Sequence, residues 1–260
     1  MFILAPIGGL CNRIRAINSA RVLAEKRGQD LHVIWNVNPE LGCPFEELFQ
    51  PTDAFTLRNI HSKWDPVKLF YQLSSKQIGN EEIRGNRDEN GLHEDYCNSL
   101  PTRLYIATEE HFFKNPDYSP FTPSKEIRQK ADRLLDKAGG RKVGIHIRRT
   151  DNKPAISGSS TDAFVRAMER EIAASDDTIF YLATDDPAEE AALRERFGDR
   201  IISNTERDLS RNTVSGIRDA LVDLICLSET EQIIGSYYSS FTDIAADMHK
   251  IPKLIAGQDT

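Results

Sequence analysis

The sequence has no Cys-x-x-Cys pair. Its four cysteines, Cys11, Cys43, Cys97 and Cys226, are scattered through 260 residues, which fits neither a disulfide framework nor a cysteine zinc site. It has no apolar run near the roughly 18 residues needed to span a bilayer, so no integral membrane segment is expected. It has no basic excess either: 33 Lys and Arg stand against 40 Asp and Glu, a formal charge of −7. That balance argues against a general nucleic-acid binder while leaving room for a local basic pocket. None of the six histidines is at ligand spacing with another, and there is no His-Glu-x-x-His, so no metal is expected. The opening MFILAPIGGL has no basic segment ahead of its short apolar stretch and reads as a first strand rather than a signal peptide. The chain therefore reads as cytoplasmic, with an ordinary globular core at 39% hydrophobic residues.

What is present is an alternation of strands and helices. Phe2, Ile3, Leu4 and Ile7 form an apolar run broken at Gly8-Gly9, after which Leu10, Ile14, Ile17 and Ala24 share one helical face. Gly28 stops that helix, and LHVIWNV follows as a second strand: a βαβ unit opened by a glycine turn. Residues 76–100 are polar and turn-rich and read mostly as loop, and RLYIATE reads as a further strand. From Ser124 the pattern is regular, with helix SKEIRQKADRLLDK, strand KVGIHIRR, a helix, strand TIFYLATD, helix PAEEAALRERFG, strand RIIS, helix SGIRDALVDLICLSE, strand EQIIGS and a last helix FTDIAADMHK. This predicts α/β architecture with a doubly wound parallel sheet. We divide the chain near residue 140 into two Rossmann-like halves, 1–140 and 141–260, which carry −1 and −6.

Ligands of open parallel sheets collect at the carboxyl ends of the strands, where several polar groups fall. Arg148 and Arg149 end one strand, and two guanidiniums there suit a diphosphate; the competing reading is a surface pair matched to Asp151. His146 lies on the strand face opposite Val143, Ile145 and Ile147, as a core histidine would. In Thr184-Asp185-Asp186-Pro187, Asp186 reads as an N-cap with Pro187 at N1 and Glu189 completing a capping box, which leaves Asp185 over. Asp219 and Asp223 share one helix face at i, i+4 and read by default as solvated. Ser239 and Ser240 precede the last helix, either as a simple N-cap or as part of an anion site. Gly8 and Gly9 offer backbone N–H groups at the first turn, with Asn12 and Arg13 pointing into any cleft between the halves.

Taken in order, KVGIHIRRTDN, FYLATDDP and SGIRDALVDLICLSETEQIIGSYYSSF resemble the three C-terminal motifs of the α1,6- and protein O-fucosyltransferases, a group that includes the nodulation fucosyltransferase. GGLCNR is similar to the glycine-Asn turn of the O-fucosyltransferase branch, and residues 40–115 resemble nothing we can name. The resemblance implies a GT-B fold, two Rossmann-like domains facing across a cleft. The N-terminal domain would be on the acceptor side, and the C-terminal one would hold GDP-fucose. It implies inverting, metal-independent transfer of fucose to a sugar or protein hydroxyl, and we read the acceptor as a glycan or glycolipid. Position by position, it implies that His146 and Asp223 contact guanine and that Arg148 and Arg149 hold the diphosphate beside Ser239 or Ser240. Asp185 and Asp186 match acidic positions close to the donor. Two positions depart from the α1,6 branch: Asn152 replaces a Lys, and Ile156 replaces the Glu that serves as base. Asp151 and Asn12 are therefore the candidates at the reacting centre, with Arg148. Another GDP-sugar as donor, or a non-catalytic GDP- or glycan-binding module, are the alternatives.

Overall fold

The computed structural model describes residues 1–137, 139–150 and 153–258. The chain forms two compact units, one of residues 1–124 and 210–218, the other of 125–209 and 219–260. The first boundary thus falls at Ser124 rather than near 140, because the helix read from SKEIRQKADRLLDK clusters with the second unit.

The first unit contains β1 (Phe2–Pro6), α1 (Leu10–Lys26), β2 (Leu31–Asn36), β3 (Thr56–Ile60), α2 (Pro66–Ser74), β4 (Lys76–Ile78), α3 (Asn80–Gly85), the two-residue strands β5 (Arg87–Asp88) and β6 (Gly91–Leu92), α4 (Glu94–Ser99) and β7 (Leu104–Thr108). Its parallel sheet has the order β3-β2-β1-β7-β4. All five residues of β1 are buried, as a central strand covered on both faces requires. Strand β3 and helix α2 have no counterpart in the sequence reading, and residues 76–100 hold more structure than the loop expected there. These elements bury little: β3 is an edge strand with one buried residue and α2 has none, so periodicity has little to register. The long connection after β2 is held by aromatic packing. Phe45 meets Trp35, Phe49 and Phe55 with ring centroids 5.4, 4.9 and 5.8 Å away.

The second unit contains α5 (Lys125–Leu135), β8 (Lys142–Ile147), α6 (Lys153–Gly158), α7 (Thr161–Ala174), β9 (Ile179–Thr184), α8 (Pro187–Phe197), β10 (Ile201–Ile202), α9 (Val214–Ser228), β11 (Gln232–Gly235), α10 (Ser240–His249) and β12 (Lys253–Ile255); α9 enters this unit at Asp219. The parallel sheet has the order β10-β9-β8-β11-β12. Every strand and helix read from the sequence in this half is present, and α6 and the edge strand β12 are additional. Val143, Ile145 and Ile147 point together into a core with Phe164, Met168, Phe180 and Leu182. Each such side chain contributes roughly 1.5–3 kcal/mol of burial.

Candidate functional site

Strand register assembles the site in the second unit. His146 pairs with Ala183 and with Gly235, and Ile147 pairs with Thr184. The residues one step further, Arg148, Asp185 and Ser236, therefore emerge side by side at the carboxyl edge. Arg148 Nε lies 3.2 Å from Asp185 Oδ2, and the Arg148 N–H donates to Ser236 Oγ at 2.9 Å. Asp185 also accepts from the Arg149 N–H at 2.7 Å and from Thr150 Oγ1 at 2.7 Å. The carboxylate left over in the sequence reading is thus the organiser of the loop that carries the arginine pair.

The two arginines have different partners. Arg149 turns back toward α7 and α8, donating to Glu189 Oε1 and to the Ser159 carbonyl, both at 2.9 Å, with its guanidinium 5.7 Å from the Phe164 ring centroid. Its acidic partner is Glu189, and that of Arg148 is Asp185; Asp151, matched to the pair in the sequence reading, lies outside the described residues. Asp186 does cap α8, accepting from the Ala188 N–H at 2.8 Å, with Pro187 at N1. The expected capping box is not formed. Glu189 is drawn to Arg149 and to Thr161 Oγ1 (2.7 Å), and the Asp186 N–H donates to Thr184 Oγ1 at 3.2 Å instead.

His146 faces away from the Val143–Ile147 core, as the alternation predicts. It is buried, stacks on Phe241 (4.8 Å between centroids) and lies 2.7 Å from Thr242 Oγ1. Burial above all, with Arg148 nearby, pushes its pKa down to about 3, so the ring is neutral. Gly235 has the same neighbour: a Cβ there would sit 2.3 Å from Thr242 Cγ2, so only glycine allows α10 this close. The cap of α10 is Ser239, not Ser240, which is the first helical residue. The Ser239 side chain makes no capping hydrogen bond, and its hydroxyl lies 3.5 Å from His146 Nδ1. Tyr238, immediately before, adopts a left-handed backbone at φ 52°, a strained conformation often stored at ligand sites.

Asp219 and Asp223 are buried, not solvated. The helix α9 is covered on that side too. Asp219 binds Lys130 Nζ at 2.5 Å and accepts from the Asp208 N–H at 2.8 Å. One turn further on, Asp223 accepts from the Tyr181 hydroxyl at 2.7 Å. Burial raises the Asp223 carboxyl pKa to about 7, against the opposing effect of that hydrogen bond. The hydrophobic period of α9 registered one face only and gave no signal that the other meets polar partners.

In the first unit, Gly8 adopts φ +77° and Gly9 caps α1 in extended conformation. The Gly8 N–H donates to Glu40 Oε2 at 3.1 Å. Arg13 does not reach solvent. It is fully buried beneath the turn, donating to the carbonyls of Gly8 (2.8 Å) and Asn36 (2.5 Å) and lying over the Trp35 ring. Burial lowers its pKa to about 10, and the charge serves to hold the turn. Asn12 is the open member of the pair, donating from Nδ2 to Glu109 Oε2 at 3.3 Å. Glu109, just past β7, also accepts from Asn80 Nδ2 at 3.4 Å. In sequence this carboxylate closes the strand RLYIATE and carries no assigned role; its place at a strand's carboxyl end is the one available signal.

Among the described residues no group of three or more His, Cys, Asp or Glu is arranged to hold a metal, and no helix is long and apolar enough to cross a membrane. No family model matches the chain, and no curated protein matches it by sequence. Solved structures do match. The α-1,6-fucosyltransferase NodZ, soaked with GDP-fucose, is 17% identical with a TM-score of 0.67, over 95% of this chain and 92% of that one. Arabidopsis thaliana FUT1 in complex with GDP is 14% identical with a TM-score of 0.64, over 98% and 69%. POFUT1 in complex with GDP is 12% identical with a TM-score of 0.61, over 98% of each. At these identities the likeness is one of fold, and the fold of this chain is that of the GT-B fucosyltransferases.

Proposed function

We propose that the protein is a glycosyltransferase that moves fucose from GDP-fucose to a hydroxyl of a glycan or glycolipid, with inversion and without a metal ion. One observation carries this reading: Arg148 and the N-terminus of α10, whose cap side chain is turned away, stand at the carboxyl edge of the second sheet. Its support is the fold shared with fucosyltransferases crystallised with GDP or GDP-fucose.

The chemistry follows from charge. An acceptor oxygen attacks the anomeric carbon as the bond to the β-phosphate oxygen breaks, so GDP gains negative charge in the transition state. A fixed guanidinium and the free N–H groups of a helix start stabilise that charge without reorganising. Arg148 supplies the cation, Ser239 and Ser240 supply the helix end, and Arg149 and Asp185 hold the loop in place. His146 and Asp223 are proposed on the guanine side, with Asp186 holding the start of α8 nearby. Gly8, Gly9 and Asn12 are proposed on the acceptor side, and Asp151 is the carboxylate proposed to take the hydroxyl proton.

Arg148→Ala tests the assignment. Transfer and slow hydrolysis of GDP-fucose are expected to fall by about 100-fold or more, with far-UV circular dichroism unchanged. Normal turnover would remove Arg148 from the mechanism. Ile156, 39% exposed where the α1,6 branch has its base, favours a second reading, a non-catalytic GDP- or glycan-binding module. Hydrolysis of neither GDP-fucose nor GDP-mannose would indicate that module, and faster hydrolysis of GDP-mannose would indicate a transferase of another GDP-sugar.

A further inference from the structure

Helix α2 is oriented unlike a core-packing helix. Its inner side uses Tyr71, which packs against the first unit's core, and Lys68, whose Nζ donates to Asn36 Oδ1 at 3.2 Å. Its outer side is an apolar stripe of Pro66, Phe70 and Leu73 at i, i+4 and i+7. Phe70 is 57% exposed, Leu73 87%, and Trp64, just before the Asp65 cap, 69%. No residue of the helix is buried. Scattered exposed apolar residues need no account, but a large aromatic, a second aromatic and a leucine gathered on and beside one short helix do.

The rim of the stripe is basic in a chain of net −7. Arg58 and Lys76 pair with Asp65 and Glu82. Lys63 and Arg103 form no ion pair among the described residues and stand over the exposed rings, 5.3 Å from Trp64 and 6.0 Å from Phe70; Arg103 also donates to the Ser74 carbonyl and hydroxyl, both at 2.9 Å, which fixes it beside the stripe with its charge unneutralised. Apolar aromatic tips with long cationic side chains beside them are the composition of a surface that sinks into the headgroup layer of a membrane, the ammonium and guanidinium groups meeting lipid phosphates.

We propose that the stripe Trp64–Phe70–Leu73 docks on an anionic lipid bilayer, with Lys63 and Arg103 as its phosphate contacts. The inference does not depend on the donor assignment. It goes beyond that reading by giving the first unit a site of its own, one that would present it to acceptors carried on lipid.

The test uses the full chain with vesicles of phosphatidylcholine alone and of phosphatidylcholine and phosphatidylglycerol in equal parts. Co-sedimentation is expected with the mixed vesicles only and is expected to weaken as salt is raised. Trp35 is fully buried, so a blue shift of tryptophan emission on binding reports Trp64. The Phe70→Ser, Leu73→Ser double variant is expected to lower vesicle partitioning by more than about tenfold, since each apolar side chain lost is a comparable factor. Lys63→Glu, at an exposed position that leaves the fold untouched, is expected to weaken binding to mixed vesicles several-fold. The proposal is overturned if the wild type ignores mixed vesicles, or if both variants bind them as it does. It is equally overturned if sedimentation velocity shows a dimer that the double variant dissociates and that binds no vesicles, because the stripe is then covered by a second copy.

Discussion

Replacing Asp223 by Asn tests the electrostatics of the second unit through stability alone. Asp223 is 7% exposed, and burial raises its carboxyl pKa to about 7 in the folded chain from the ordinary 3.8. A carboxyl raised on folding holds its proton more tightly in the native state, so stability falls as pH rises between the two values and is flat above the higher one. From pH 5 to pH 7 the wild type should lose on the order of 2–3 kcal/mol from this group, a loss that Asp223→Asn abolishes. The Tyr181 hydroxyl can donate to the Asn carbonyl as it does to the carboxylate. His146 works in the opposite sense: its pKa is lowered to about 3, so its contribution is present above the unfolded value and lost as pH falls. It is present in both proteins and cancels in the difference. Fluorescence would not follow the event, because Trp35 and Trp64 both lie in the first unit. Native-state hydrogen exchange of the β8 and β9 amides does. The difference in opening free energy between variant and wild type should grow in the variant's favour from pH 5 to pH 8. Parallel profiles would refute the buried, proton-holding carboxyl.

Other expectations follow from single contacts. Gly235→Ala puts a methyl 2.3 Å from Thr242 Cγ2, and overpacking of this kind costs about 1–3 kcal/mol; a lower melting temperature of the second unit, with weakened GDP binding, is the expected result. Arg149→Ala removes a partly buried pair with Glu189 and should cost about 1.5–3 kcal/mol in denaturant titrations, whereas Arg148→Ala, which loses a longer and more exposed pair with Asp185, should cost less. The reverse order would exchange their roles. Gly8→Ala forces a φ of +77° on a residue with a Cβ, costing about 1–2 kcal/mol, and the new methyl would lie 2.8 Å from Asn12 Nδ2. A stability curve together with acceptor kinetics reads both effects.

The second unit was legible because its buried strands are continuous apolar runs and its helices keep a steady 3.6-residue period, so every strand end, and hence the Arg148–Asp185 edge, could be located. Which side chain turns which way was not legible. Arg148 and Arg149 are adjacent in sequence and chemically identical, yet Glu189, forty residues on, draws one of them inward. The buried state of Asp223 depends on Tyr181 across the sheet, and that of Arg13 on carbonyls of Gly8 and Asn36. Such partners are set by tertiary packing and leave no local pattern. The same holds for α2, whose apolar stripe points outward and so defeats the assumption that an amphipathic helix turns its apolar side to the core.

Donor binding at Arg148 is measured by calorimetric titration of the wild type and of Arg148→Ala with GDP, UDP and ADP, each with and without a chelator. GDP-selective, chelator-resistant binding that Arg148→Ala abolishes is the result expected of a diphosphate held by this arginine. Equal affinity for the three nucleotides, or GDP binding that Arg148→Ala leaves intact, would contradict it.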